Sequence, residues 1–428
     1  MFHRMCRVAI CLGLLAFRSM AAEMLLPDKW GGGWQPDAEL VKLTSERRPL
    51  FNYRETLVAP FELPRLFRTG EDEKAYGKDD WELRRSELVE LLASEMYGRS
   101  PATVERQSMQ LISIDKQALG GSATAKVVQI RLGVENRELK LELKMFLPNR
   151  VLGAVPVFLL INHRGPENLD MTRKVRNGYW PVEEVIERGY GIAGFQVSDI
   201  DPDKHDGFRN GVHGLFGREI EGDSWGSLAA WGWGASRAMD YFVADPDIDA
   251  AKVAVLGHSR SGKAALWAGA RDTRFSIVIS NNSGCGGAAL SHRRFGETID
   301  RINHAFPHWF CGNFERYNDR EHALSFDQHF LIAAIAPRAV YVASASRDLW
   351  ADPVGEYRSL YYAGEVYQLY GDEGLPVSIP PAAGNPVGSK RMGFHIREGG
   401  HGLEIYDWHR YMDFADNLWH ELAEVTRQ

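Results

Sequence analysis

Two textures of hydrophobic spacing divide this chain. In residues 81–97, Leu83, Leu88, Leu91, Leu92 and Met96 recur near helical spacing and predict an amphipathic helix. Runs at 109–114, 125–132 and 139–147 read as strands, and the last alternates apolar with polar residues, as an antiparallel strand with one wet face does. From Val155 the texture changes to buried strands, at 155–161, 191–197, 252–256, 275–280, 338–343 and 392–397. Stretches at 229–242 and 263–270 read as helices between them. Residues 24–75 are polar, with scattered Trp and Pro, and predict a segment wrapped over the core. A Gly- and His-rich insertion at 204–217 is expected to border a site, since loops of that kind rim active sites more often than they fill cores.

Antiparallel strands leading into a βαβ series predict an α/β-hydrolase fold, a three-layer αβα sandwich around a mostly parallel central sheet. The 428 residues are many for one domain, but no internal repeat or Ser/Pro linker divides them. The expected layout is a signal peptide at 1–21 and a single catalytic domain at 22–428, with the N-terminal wrapping segment and an insertion near 200–225. Arg4 and Arg7 form a basic start, Val8 to Phe17 an apolar stretch too short to span a bilayer, and Ser19-Met20-Ala21 a small-x-small cleavage site. The chain is therefore expected to be secreted or periplasmic. Losing Arg4, Arg7 and Arg18 takes the net charge from −7 to about −10, which argues against nucleic acid or an anionic membrane as partner. Cys285 and Cys311 remain, either as one disulfide or as two small buried residues. No C-x-x-C or H-E-x-x-H pattern calls for a metal, and no cofactor is expected.

The chemistry centres on Lys252-Val-Ala-Val-Leu-Gly-His-Ser-Arg-Ser-Gly-Lys263. An apolar strand runs into a turn of small residues, and a helix follows at once. That is the setting of a nucleophile elbow, with Ser259 raised above the sheet edge and helix N–H groups behind it. The usual second glycine is Ser261 here, with Gly262 one residue later. An ordinary βα turn with a capping serine would carry similar residues. A serine hydroxyl needs a base, and the base a carboxylate, in the chain order Ser, acid, His. His401, in Glu398-Gly-Gly-His-Gly402 after the last strand, is the candidate base. Asp348, after the strand at 338–343, is the candidate acid, with Asp352 as runner-up. His258 is expected to point away from the nucleophile, and His292, His304, His308, His395 and His409 to be structural or rim residues. Oxyanion stabilisation is expected from the Arg260 N–H and its guanidinium.

These residues resemble a known family. Gly257-His-Ser-Arg-Ser-Gly-Lys263 is similar to the nucleophile motif of the glucuronoyl esterases, carbohydrate esterase family 15. Asn281-Asn-Ser-Gly-Cys-Gly-Gly-Ala-Ala289, Phe295-Gly-Glu297, Ser346-Arg-Asp-Leu-Trp350 and Gly399-Gly-His401 resemble further motifs of that family, closest to its bacterial branch. The resemblance implies hydrolysis of 4-O-methyl-glucuronic acid esters, which join glucuronoxylan to lignin alcohols. It implies Ser259 as nucleophile, His401 as base and Arg260 as oxyanion arginine. Lys263, Glu297 and Trp350 match positions that hold the sugar. Many members carry the acid where this chain has Asn282, so the acid role passes to Asp348. Glucuronoxylan and lignin–carbohydrate esters are the expected partners, and a monomer the expected state. Another carbohydrate esterase, such as an acetyl-xylan esterase, would use the same triad. A non-catalytic carbohydrate-binding protein on a degenerate hydrolase fold would not need the Ser, Asp, His order at all.

Overall fold

The computed structural model describes residues 33–67, 77–217 and 219–425. The segment read as a signal peptide lies outside the described residues. Ten strands form one sheet: β1 (Arg106–Ala118), β2 (Ala123–Val134), β3 (Arg137–Pro148), β4 (Val155–Asn162), β5 (Gly191–Gln196), β6 (Ile248–His258), β7 (Ile277–Asn281), β8 (Ala339–Ala345), β9 (Val387–Gly388) and β10 (Met392–Arg397). Their spatial order is β1-β2-β3-β5-β4-β6-β7-β8-β10-β9. β1 to β3 form an antiparallel meander that joins β5 antiparallel. From β5 through β4, β6, β7 and β8 to β10 every pairing is parallel, and β9 closes the far edge antiparallel. This is the mostly parallel sheet expected from the sequence.

Each parallel strand feeds two cores, because successive side chains leave on opposite faces. Val157, Leu159, Ile161, Val253 and Val255 enter one core. Phe158, Leu160, Ala254 and Leu256 enter the other. The first core is closed by the helices Ser227–Ala244, Arg260–Arg271 and Pro353–Leu369, and the second by Ile405–Val425. Among the described residues no helix is long and apolar enough to cross a membrane.

Two expectations need correcting, and one open alternative is decided. The helix read over 81–97 is α-helical from Lys78 to Leu92 and then widens into a π turn, Ala93–Tyr97. Its buried stripe is Trp81, Leu88, Val89 and Leu92, and the wider turn brings Met96 and Tyr97 into the core as well. Leu83 is exposed, since two residues after Trp81 is the far side of a 3.6-residue helix. The insertion at 204–217 is not all loop, because Gly211–Phe216 forms a helical turn and a half. Cys285 and Cys311 are both buried and unbonded, the second of the two alternatives. The helices Pro353–Leu369 and Ile405–Val425 lie outside the elements read from the sequence. In the first, Glu356, Arg358 and Ser359 are buried beside Tyr357 and Leu360, which blurs the apolar stripe.

The described part of the N-terminal segment packs against residues that follow β7 and β8. Tyr53 and Val58 pack with Phe295 and Leu349 in a small cluster, and the Gly296 N–H donates to the Asn52 carbonyl. This places the segment over the loop that follows β8.

Candidate active site

β6 ends in a turn that few residues could make. Ser259 sits at φ 56°, ψ −126°, outside the ordinary regions for an L-residue, a conformation that costs about 1–3 kcal/mol unless its surroundings fix it. They do so on both sides. The Ser259 N–H donates to the Asn281 carbonyl at the end of β7 (2.8 Å), and the Ser259 carbonyl accepts from Gly262 (2.9 Å). A Cβ on Gly257 would meet the Ser261 carbonyl oxygen at 1.9 Å, so glycine is obligatory there. A Cβ on Gly262 would meet Ser283 at 3.0 Å and the Gly257 oxygen at 3.2 Å. The displaced glycine thus serves the close approach of helix to strand, and Ser261 is free to be buried, with Oγ 3.0 Å from His163 Nδ1.

The loop after β10 returns a histidine to this turn. His401 Nε2 lies 2.9 Å from Ser259 Oγ, and His401 Nδ1 lies 2.6 Å from Asp348 Oδ2. The tautomer that satisfies both bonds carries its proton on Nδ1 and accepts from the serine hydroxyl at Nε2. Arg397 shapes the loop: its guanidinium donates to the carbonyls of Glu398 (2.9 Å), Gly400 (3.0 Å) and Gly402 (3.2 Å), while Nε binds buried Asp407 (3.0 Å). The loop after β8 is laced to it by Ser346 N–H to Arg397 (2.8 Å), Arg347 N–H to Gly399 (2.8 Å) and Ser346 Oγ to Glu398 (2.7 Å). The His401 side chain stays 43% exposed, open to an arriving ester or water, while Asp348 is 5% exposed.

Asp348, not Asp352, is the carboxylate that meets His401. Asp352 turns to Arg293 (2.7 Å) and caps the helix Pro353–Leu369 through the Gly355 N–H (3.0 Å). Asn282 reaches the same carboxylate, with Nδ2 3.1 Å from Asp348 Oδ2. Its φ of 47° is one asparagine tolerates better than most residues. His258 makes a contact the sequence did not suggest. Its ring lies beside that of His401, centroids 4.6 Å apart and tilted by 47°, with Nδ1 on Asn281 Oδ1 (2.6 Å). Burial, then the neighbouring His401, push its pKa well down, so a neutral ring backs the candidate base.

Arg260 follows the serine. Its guanidinium forms an ion pair with Asp203 and lies over the rings of Trp309 (4.7 Å) and Phe306 (5.2 Å). Those two rings pack on each other, stacked with 3.7 Å between centroids. Lys263 is buried and its ammonium donates to the carbonyls of Ser283 and Cys285 (2.6 Å for the latter), so two of its three protons are engaged. Burial lowers its pKa, and the Glu297 charge opposes that. Glu297 is pushed up by burial and pulled back by Lys263 and a Trp350 hydrogen bond. Trp350 carries Arg48 over one ring face at 3.9 Å and Phe51 edge-on at 4.9 Å. The structure therefore gathers Ser259, His401, Asp348 and Arg260 around one sheet edge, with Lys263, Glu297 and Trp350 forming a second, adjoining group. The sequence reading missed Asp203, Arg397 and Arg48. Asp203 directly precedes the flagged insertion, but no motif marks it. Among the described residues no His, Cys, Asp and Glu cluster suits a metal.

Comparison with known proteins shows the family. Residues 134–371 match a family model described as glucuronyl esterase, fungi. The chain is 40% identical over 419 residues to the carbohydrate esterase MZ0003 of an unknown prokaryotic organism, covering 90% of this chain and 95% of the relative. It is 26% identical to a 4-O-methyl-glucuronoyl methylesterase of Podospora anserina, over 72% of this chain and 60% of that one. The structure resembles a glucuronoyl esterase from Solibacter usitatus with a TM-score of 0.80 and 38% identity, covering 85% of this chain and 99% of the other.

Proposed function

The chain belongs to the glucuronoyl esterases, carbohydrate esterase family 15, and from that premise we propose that it hydrolyses the ester between 4-O-methyl-D-glucuronic acid of glucuronoxylan and lignin alcohols. The observation that carries this reading is the continuous hydrogen-bonded line from Asp348 through His401 to Ser259, with Arg260 next in the chain. Ser259 Oγ attacks the uronoyl carbonyl as His401 Nε2 takes its proton. Asp348 offsets the imidazolium and keeps the ring in register. Negative charge develops on the carbonyl oxygen, where the Arg260 N–H at the helix start and its guanidinium stabilise it. His401 then protonates the leaving alcohol, and a water activated by the same ring hydrolyses the glucuronoyl-serine ester. Lys263, Glu297 and Trp350 hold the sugar through the donors and acceptors their mutual contacts leave over.

In the same reading residues 1–21 are a signal peptide, residues 22–428 a single catalytic domain, and the enzyme acts outside the cytoplasm as a monomer on glucuronoxylan and lignin–carbohydrate esters. The test is the hydrolysis rate of methyl or benzyl glucuronate beside an acetyl ester, for wild type and Ser259→Ala. Serine-dependent cleavage of the uronate ester is expected. Cleavage of the acetyl ester instead would replace the uronate assignment with that of an acetyl esterase.

A further inference from the structure

Arg260 carries its own carboxylate, and that carboxylate is mounted with unusual care. Asp203 Oδ2 pairs with Arg260 Nη1, while Asp203 Oδ1 accepts from both His308 Nε2 (3.0 Å) and Trp309 Nε1 (2.8 Å). Three donors therefore converge on two oxygens. Burial alone would raise this carboxyl, but the bonds from His308, Trp309 and Arg260, with the arginine's charge, hold it below its ordinary value. It stays ionised throughout the neutral range.

The supports for this carboxylate share one origin. The helix Ser227–Ala244 begins by donating the Ser227 and Leu228 N–H groups to the carbonyls of His308 (2.8 Å) and Trp309 (3.2 Å). Buried Asp201, two residues before Asp203, accepts from Ser227 Oγ (2.5 Å) and His213 Nδ1 (2.9 Å), and its carbonyl accepts from Trp231 Nε1 (2.9 Å). Both arms that grip Asp203 thus hang from one helix start. Neither arm belongs to the nucleophile elbow.

This arrangement has a chemical consequence. The substrate ester is neutral and the product uronate is an anion. An unpaired guanidinium beside the serine would hold the product more tightly than the substrate. We propose that Asp203 is a positioning residue for Arg260 that also offsets its charge, so the site favours the neutral uronate ester over free uronate. The proposal rests on the reading of Arg260 as the oxyanion donor. Asp203 never touches the reacting atoms. It fixes the Nη1 edge of the guanidinium against the aromatic wall, and leaves the partial charges of the remaining N–H groups to meet the alkoxide that forms in the transition state.

The experiment is a double-mutant cycle of Asp203→Asn with Arg260→Gln, read by kcat, KM and the inhibition constant of sodium glucuronate. Asp203→Asn should lower kcat about tenfold or more, because an amide offers one acceptor oxygen to three donors. KM should hold, since the ground-state carbonyl is uncharged, and glucuronate should inhibit about tenfold more strongly. In the Arg260→Gln background the same change should move neither value by more than about twofold. Losses that add across the cycle, or an unchanged inhibition constant, would overturn the proposal. Should Asp203→Asn not fold, Trp309→Phe removes one donor and keeps the ring. A smaller change in the same two readings supports the proposal, and no change sinks it. If wild type prefers an acetyl ester, the cycle is run on that ester, so a wrong substrate shows in wild type and a wrong role for Asp203 only in the variants.

Discussion

The two flanks of Ser259 are built in different ways. On one side His401 and Asp348 come from loops that directly follow β10 and β8, and neighbouring parallel strands deliver them to one edge. On the other side Arg260 is held by Asp203, itself gripped by His308 and Trp309, and these residues come from two segments that meet at the start of the helix Ser227–Ala244. The first flank inherits its geometry from the sheet. The second needs a separate scaffold of buried polar bonds, and its parts lie about a hundred residues apart in the chain. A strand-end site is thus fixed once the sheet forms, whereas a site made of insertions depends on every anchor being satisfied.

Substitutions can break this contrast in order of size. Ser259→Ala belongs to both flanks and should lower kcat by about 10⁶-fold without lowering Tm, measured on methyl glucuronate beside a melting curve. On the strand-end flank, Asp348→Ala should cost about 10⁴-fold in kcat. Asp352→Ala, four residues on, should instead cost about 1–3 kcal/mol of stability, because buried Arg293 keeps Glu55 but loses its second carboxylate, and the helix Pro353–Leu369 loses its cap. Urea titration and kcat of the folded fraction separate the two, and a reversed pattern would exchange their roles. On the insertion flank, Arg260→Gln should cost about 10²–10³-fold in kcat with the triad untouched. An effect as large as that of Asp348→Ala would end the distinction between the flanks.

The smallest effect sharpens the strand-end flank. Glu356 lies behind it, accepting from Ser344 Oγ (2.5 Å), the Gly284 N–H (2.9 Å) and Ser283 Oγ (3.3 Å). Burial pushes its carboxyl up to about 8, against the pull of those bonds and with help from the Asp348 charge. The folded protein then holds a proton that the unfolded chain releases at about pH 4.3. Stability from this group is present below that pH and is lost as pH rises through about 8. Glu356→Gln keeps a donor and an acceptor without the ionisation, so the fall in Tm between pH 5 and pH 8.5 should narrow. A fall as steep as in wild type would place the titration elsewhere.

Ser259, His401 and Asp348 were legible because each follows an apolar run, and chain order along a parallel sheet leaves little choice of partner. Asp348 and Asp352 were separable by nearness to the strand end, and the structure adds the reason: a cap and Arg293 already occupy Asp352. Asp203 was not legible. A carboxylate ahead of a Gly- and His-rich stretch looks like any turn residue until its three donors are in place. Lys263 was legible as a helix residue one turn from the serine, but the two carbonyls that take its protons come from the loop after β7. Leu83 misled because apolarity alone does not say which side of a helix faces the core.

What the sequence determined by itself is therefore periodic or ordered: the alternation that sets two cores on a sheet, the small residues that permit a sharp turn, and the succession of serine, carboxylate and histidine. These depend on neighbours within a few residues or on strand order. What only the tertiary structure decided is pairing across distance: Asp203 with Arg260, Arg397 with the His401 loop, Arg48 with Trp350. Each is a contact between a charged side chain and a group remote in sequence. Its worth comes from burial and from the count of donors and acceptors met there, neither of which leaves a mark on local spacing.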